Sequence, residues 1–251
     1  MRKGAVSAGP PRPLVFNSRR LVLFDLDDTL CDYSSARERR LRTAFSGGDD
    51  PTAHAPLNLD LERMVAVSIA LNPHGVDHFS RLFADLGIAD PGCAERAAGW
   101  YQRNRFFGLD LFPEALRVIA WLRSTRGWSS RIGVVTNGPA EIQREKVILL
   151  GVDRLADFVL VSEEFGSEKP GRAIFPQALR LGGATAGEAI MVGDSLEHDI
   201  AGARAVEIAS VWINRFGRTI LPTEPVPDFI VQRLKELPCL PRLAGSHGDR
   251  C

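Results

Sequence analysis

Residues 21–30 read Leu-Val-Leu-Phe-Asp-Leu-Asp-Asp-Thr-Leu, an apolar run that stops abruptly in carboxylates. Leu21 to Phe24 is apolar on both alternating faces, the pattern of a strand buried on both sides in a parallel sheet. A strand of that kind ends where the chain leaves the core, and there Asp25, Asp27 and Asp28 crowd together. Their mutual repulsion is costly unless a cation or a bound group offsets it.

Three further segments repeat this design. Arg131-Ile-Gly-Val-Val-Thr136 is a strand ending in a hydroxyl, followed by Asn137 and Gly138. Phe158-Val-Leu-Val161 is another strand, and Lys169-Pro170 follows it after an acidic loop. Ala189-Ile-Met-Val-Gly193 runs into Asp194-Ser195, with Asp199 five residues beyond Asp194. Open parallel sheets bind ligands at the carboxyl ends of their strands, so these polar groups are expected to converge on one crevice. Acids suited to a cation, with a hydroxyl and an ammonium suited to an anion, make a coherent site for phosphate chemistry.

The alternation of strands and helices predicts an α/β fold: a Rossmann-like core whose mostly parallel sheet is flanked by helices. Roughly a hundred residues separate the first acids from the next core strand, far more than a crossover helix needs. Helical periodicity recurs there over 34–45, 59–70, 76–86 and 93–105, predicting a small inserted four-helix module. The expected organisation is a flexible arm over 1–19, a core of 20–32 and 109–238, a helical cap over 33–108, and a flexible tail over 239–251. A transit peptide is an alternative reading of the basic arm.

Lysine plus arginine equals aspartate plus glutamate, 31 against 31, so no global charge argues for a nucleic acid or membrane partner. No apolar stretch is long enough for a membrane span. Cys31, Cys93, Cys239 and Cys251 have no metal-site or redox spacing, and reduced thiols in a cytoplasmic protein are expected. The lysines are only Lys3, Lys146, Lys169 and Lys235, so a lysine placed after a core strand is noticeable.

On these residues the chain resembles the haloacid dehalogenase superfamily of hydrolases, phosphatase type. The family's Asp-x-Asp-x-Thr motif matches Asp25, Asp27 and Thr29, and its strand-ending Thr or Ser matches Thr136. Its Lys-Pro matches Lys169 and Pro170, and its Gly-Asp-Ser with a later Asp matches Gly193, Asp194, Ser195 and Asp199. The stretch from Phe24 to Tyr33, Thr136-Asn137-Gly138-Pro139 and Ser162-Glu163-Glu164 are similar to the branch of pyrimidine 5′-nucleotidases and N-acylneuraminate-9-phosphatases.

The resemblance implies hydrolysis of a phosphate monoester through an aspartyl phosphate, with Asp25 as nucleophile and Asp27 as acid and base. It implies Mg2+ held by the Asp25 side chain, the Asp27 backbone carbonyl and Asp194, with Thr29, Ser195 and Asp199 in support. Asp199 would orient water or Lys169. Thr136 and Lys169 would hold phosphoryl oxygens, joined by amides around Asn137 and Gly138. A cap inserted after the first motif would close over the core. The expected substrate is a small phosphorylated metabolite, a nucleotide or a sugar phosphate.

Arg103 and Arg105 are either contacts to an anionic part of that substrate or solvated residues of a helix end. Trp100, Tyr101, Phe106 and Phe107 are expected to pack a cap core or hinge. His54, His74 and His78 are expected to be structural or exposed. The acid at Asp27 favours a phosphatase over a 2-haloacid dehalogenase-like hydrolase, since halide loss needs no proton donor. A phosphomutase, which uses the same acids, stays open, as does a catalytically idle binding protein on the same fold.

Overall fold

The computed structural model describes residues 20–48, 60–71, 77–87, 91–124 and 130–240. The expectations for the N-terminal arm, for most of the turn-rich loop after Gly47, for His54 and His74, and for the tail beyond Leu240 lie outside these residues. The chain forms two compact units, one comprising the chain up to Cys31 and from Leu111 onward, the other Asp32–Asp110.

The first unit is built on six strands: β1 (Leu21–Phe24), β2 (Arg131–Thr136), β3 (Phe158–Val161), β4 (Ala189–Gly193), β5 (Ala209–Ile213) and β6 (Phe229–Val231). Their order is β3-β2-β1-β4-β5-β6 and every pairing is parallel. β1 is central, with Phe24 in register with Val134 on one side and Val192 on the other. The connections run outward in opposite directions from β1 and β4, which makes the carboxyl end of this pair the switch point where such sheets bind ligands.

The helices of this unit are α5 (Ala115–Ser124), α6 (Ala140–Leu149), α7 (Val152–Leu155), α8 (Ser162–Phe165), α9 (Ile174–Gly182) and α10 (Ala201–Ala205), with a π-helical turn over Leu196–Ile200. The acidic segment after β3, expected as loop, is the one-turn helix α8. Leu21 and Leu23 pack with Val135, Ile174, Phe175 and Met191 in one apolar cluster. Leu21 to Phe24 are fully buried, so the first acids are attached to a strand packed on both faces.

The second unit comprises α1 (Tyr33–Phe45), α2 (Leu61–Leu71), α3 (Asp77–Asp85) and α4 (Pro91–Arg103). Asp32 caps α1 by accepting a hydrogen bond from the Ser35 N–H. Leu41, Phe45, Met64, Phe79, Phe83 and Trp100 belong to its apolar core, and Tyr101 joins them. Trp100 and Tyr101 therefore pack the helical unit as expected, with the half-exposed Phe107 edge-on to Trp100. His78 is tied to the buried Ser68, Nε2 to Oγ at 2.7 Å.

Cys31 and Cys93 are free thiols. Cys239 is disulfide-bonded, which corrects the expectation of reduced thiols at that position. Spacing along the chain does not report such a pair, because the bond depends on how close two Cα atoms come in space.

Candidate active site

The carboxyl ends of β1, β2 and β4 deliver the predicted acids, hydroxyl and amide to one place. The Asp25 N–H donates to the Val192 carbonyl at 2.9 Å, so the ladder continues one residue past β1 and fixes Asp25 against β4. The chain then turns sharply: Leu30 and Cys31 both donate to the Leu26 carbonyl, and Asp28 sits in the left-handed region at φ 57°. Arg215 holds this turn from the far side of the sheet order. Its guanidinium donates to the carbonyls of Asp28 at 3.2 Å and Thr29 at 3.1 Å, pairs with Glu114 and lies over the Phe112 ring.

Lys169 is the centre of the acid cluster. It is buried, and its Nζ donates to Asp25 Oδ1 at 2.5 Å and to Asp199 Oδ1 at 2.6 Å. Burial pulls the Lys169 ammonium down, but the carboxylates of Asp199 and Asp25 outweigh it and hold the group above its ordinary value. The Lys169 backbone is gripped as well: Asn137 Oδ1 accepts its N–H at 2.9 Å and Asn137 Nδ2 donates to its carbonyl at 2.8 Å. The Lys169-Pro170 peptide is cis.

Asp199 accepts from Lys169 on one oxygen and from the Ser195 N–H on the other, at 3.0 Å. Gly193 makes this possible, since a Cβ there would lie 2.2 Å from Asp199 Oδ2. Asp194 receives the Thr29 hydroxyl at 3.4 Å, and its carbonyl accepts from Trp212 Nε1 at 2.7 Å. Ser195 uses its hydroxyl as a helix cap, accepting from the His198 N–H.

Carboxylate oxygens of Asp25, Asp194 and Asp199 lie within 4.8 Å of one another. One ammonium cannot neutralise three carboxylates. Burial pushes the Asp25 carboxyl up to about 7, against the pull of Lys169 and with the help of Asp199 and Asp27. Asp194 is pushed up to about 8, by burial first and then by Asp25, Asp199 and Asp28. This excess of hard oxygen donors fits a divalent cation, which would replace the protons these acids otherwise retain.

Thr136 is buried at the end of β2. The next residues are held by contacts within the protein. Asn137 uses its side chain on the Lys169 backbone, and the Gly138 N–H donates to Ser162 Oγ at 3.0 Å. Both thus tie the loop after β2 to the segments after β3. Arg103 and Arg105 are exposed residues of the helical unit, at and just beyond the end of α4.

Two residues of this site are missing from the sequence-based set. Lys146 is buried on α6 and its Nζ lies 2.6 Å from Asp27 Oδ2. Gln143, one turn earlier on the same face, donates to the same oxygen at 3.3 Å and to the Asn137 carbonyl at 2.6 Å. The scarcity of lysine was the available signal: of four in the chain, two are buried here, each against one acid of the first motif. Cys31, read as small packing, is buried, and its Sγ lies 3.4 Å from the Leu26 carbonyl and 3.6 Å from Asp27 Oδ1. Burial and the Asp27 carboxylate push that thiol far up, so it is no nucleophile.

Residues 19–207 match the family model described as haloacid dehalogenase-like hydrolase. The chain is 33% identical over 227 residues to the glyceraldehyde 3-phosphate phosphatase of Methanopyrus kandleri, covering 87% of this chain and 95% of that one. It is 29% identical over 234 residues to human N-acylneuraminate-9-phosphatase, covering 88% and 93%. Among solved structures, the magnesium-bound HAD-hydrolase YfnB from Bacillus subtilis superposes with a TM-score of 0.66 at 23% identity, covering 87% of this chain and 96% of that one. The chain belongs to the haloacid dehalogenase-like hydrolases, and the curated relatives it matches over most of their length include sugar-phosphate phosphatases.

Proposed function

We propose that this hydrolase is a magnesium-dependent phosphatase that cleaves a small sugar phosphate through an aspartyl phosphate on Asp25. The observation that carries this reading is the pairing of two acids with two tasks. Asp25 faces Lys169 and the other acids, while Asp27, two residues on, has its carboxyl in a separate set of contacts. Two carboxyls in different surroundings suit a nucleophile and a proton carrier.

In the first step an Asp25 oxygen bonds to phosphorus, the bond from phosphorus to the ester oxygen breaks, and Asp27 gives its proton to the departing alkoxide. In the second, water attacks phosphorus and loses its proton to Asp27, and the Asp25 oxygen leaves phosphorus, releasing phosphate. Lys169, held by Asp199 and by the Asn137 clamp, is placed to offset charge on the phosphoryl oxygens, and the Thr136 hydroxyl at the end of β2 is assigned to the same oxygens. Magnesium held by the Asp25 side chain, the Asp27 carbonyl and Asp194 would supply the remaining positive charge against those oxygens. Thr29, Ser195 and Asp199 keep these groups in place.

A proton donor at position 27 supports a phosphatase over a dehalogenase, and the named relatives support a sugar phosphate over a nucleotide. Arg103 and Arg105, exposed on the helical unit, are assigned to an anionic part of the leaving group. The test is phosphate release from triose phosphates, sialic acid 9-phosphate and nucleotides, with magnesium and with chelator, beside Asp25→Asn. Release that needs magnesium and is lost in Asp25→Asn is expected. Undiminished release from Asp25→Asn would sink the nucleophile assignment, and no release from any compound would favour a mutase or a binding protein.

A further inference from the structure

Lys146 is a buried cation that the mechanism above does not use. It projects from the last turn of α6, yet only 4% of its side chain is exposed. Burying an ammonium is costly without a close counter-charge, and the Asp27 carboxylate supplies one at 2.6 Å. Gln143 adds a second donor to the same carboxylate oxygen and is itself anchored on the Asn137 carbonyl. Both donors come from one turn of a regular helix, a rigid mount for a side chain that extends from a tight turn. Asp27 Oδ2 therefore accepts two hydrogen bonds, one from a charged donor, while among the described residues Oδ1 faces the weak thiol donor of Cys31. An oxygen already saturated with donors is a poor place for a proton, so Oδ1 is the oxygen left to carry it.

Resting on the phosphatase reading, we infer that Lys146, supported by Gln143, is a positioning residue that fixes the Asp27 carboxyl so that Oδ1 exchanges the proton with the leaving oxygen. The role is separate from that of Lys169, which lies on Asp25 and Asp199. Each of the two buried lysines thus orders one acid of the motif.

The consequence is specific to the leaving group. An alkoxide must be protonated as it departs, whereas p-nitrophenolate leaves without help. The experiment measures kcat/KM of the full chain with magnesium for the preferred sugar phosphate and for p-nitrophenyl phosphate. This parameter reports the first chemical step, so a slowed hydrolysis of the aspartyl phosphate does not enter it. Wild type is compared with Asp27→Asn, Lys146→Met, Lys146→Gln and Lys146→Arg.

General acid catalysis contributes about 10²–10⁴-fold, so Asp27→Asn is expected to lose about 10²-fold or more on the sugar phosphate relative to the aryl ester. Lys146→Met and Lys146→Gln, which cannot reach the carboxylate with a charge, are expected to lose roughly 10- to 100-fold in the same ratio. Lys146→Arg is expected to restore most of it. The ratio is taken on one preparation and so does not depend on the fraction folded, and the glutamine variant serves if the methionine variant does not fold. Equal losses on both substrates in the Lys146 variants, beside a selective loss in Asp27→Asn, would reduce Lys146 to a structural role and leave the phosphatase reading standing. A non-selective loss in Asp27→Asn itself would overturn the acid assignment and this inference with it.

Discussion

Lys169→Met tests the electrostatic account of the site most severely. The substitution keeps much of the aliphatic stem but removes an ammonium that is 2.5 Å from Asp25 and 2.6 Å from Asp199 in a fully enclosed position. It leaves Asp25, Asp194 and Asp199, whose oxygens lie within 4.8 Å of one another, with no cation among them. Removing one partner of a buried ion pair costs about 3–5 kcal/mol. For a domain of this size that corresponds to a fall in Tm of roughly 6–20 °C.

The sign of the pH dependence follows from Asp25. Its folded value, about 7, already lies above the ordinary carboxyl value, and Lys169 is the influence holding it down. Without Lys169 the folded carboxyl titrates higher still, so the variant goes on losing stability at pH values where the wild type has finished titrating. The penalty should therefore be larger at pH 8 than at pH 5. A divalent cation should recover part of it by replacing the missing positive charge. The assay is thermal unfolding at both pH values with chelator, repeated with excess magnesium. A variant as stable as wild type at pH 8 in chelator would refute the reasoning, as would a penalty that shrinks from pH 5 to pH 8.

Three further outcomes are expected. In wild type without metal, the raised carboxyls of Asp25 and Asp194 contribute stability that is complete below about pH 4 and lost as pH rises through 7 to 8; Tm against pH in chelator should show this fall, and saturating magnesium should flatten it. Gly193→Ala places a Cβ 2.2 Å from Asp199 Oδ2, so Asp199 must move and release Lys169; a shift on the scale of 1 Å is expected to cost about 10²-fold in kcat, and unchanged turnover would show that Asp199 does not hold Lys169. Ser162→Ala removes the acceptor of the Gly138 N–H, 3.0 Å away in a buried position; denaturant unfolding should show a loss of about 1–3 kcal/mol, and no loss would mean that the amide finds another partner.

The architecture and the acid cluster are legible along the chain, because both rest on local signals. Four apolar runs ending in polar residues specify buried parallel strands and the end at which ligands gather, and all four appear in register in one sheet. Helical periodicity between β1 and α5 marked the inserted helices, since an amphipathic face is written every three or four residues. Asp25 and Asp194 come together because each directly follows one of two paired strands, β1 and β4, and Lys169 and Asp199 join them from the segments after β3 and β4.

The partner of each buried polar group, by contrast, emerges in the folded chain alone. Lys146 meets an acid 119 residues away and Arg215 meets a carbonyl 187 residues away, pairings for which no local pattern exists. A lysine within a helix reads as a solvated charge until the fold shows which face of α6 lies on the turn after β1. The Gly138 amide donates to Ser162, 24 residues further along the chain. Neighbouring residues along the chain dictate dihedral preference and burial, whereas the partner of a buried donor is chosen by the sheet order that brings distant segments within about 3 Å.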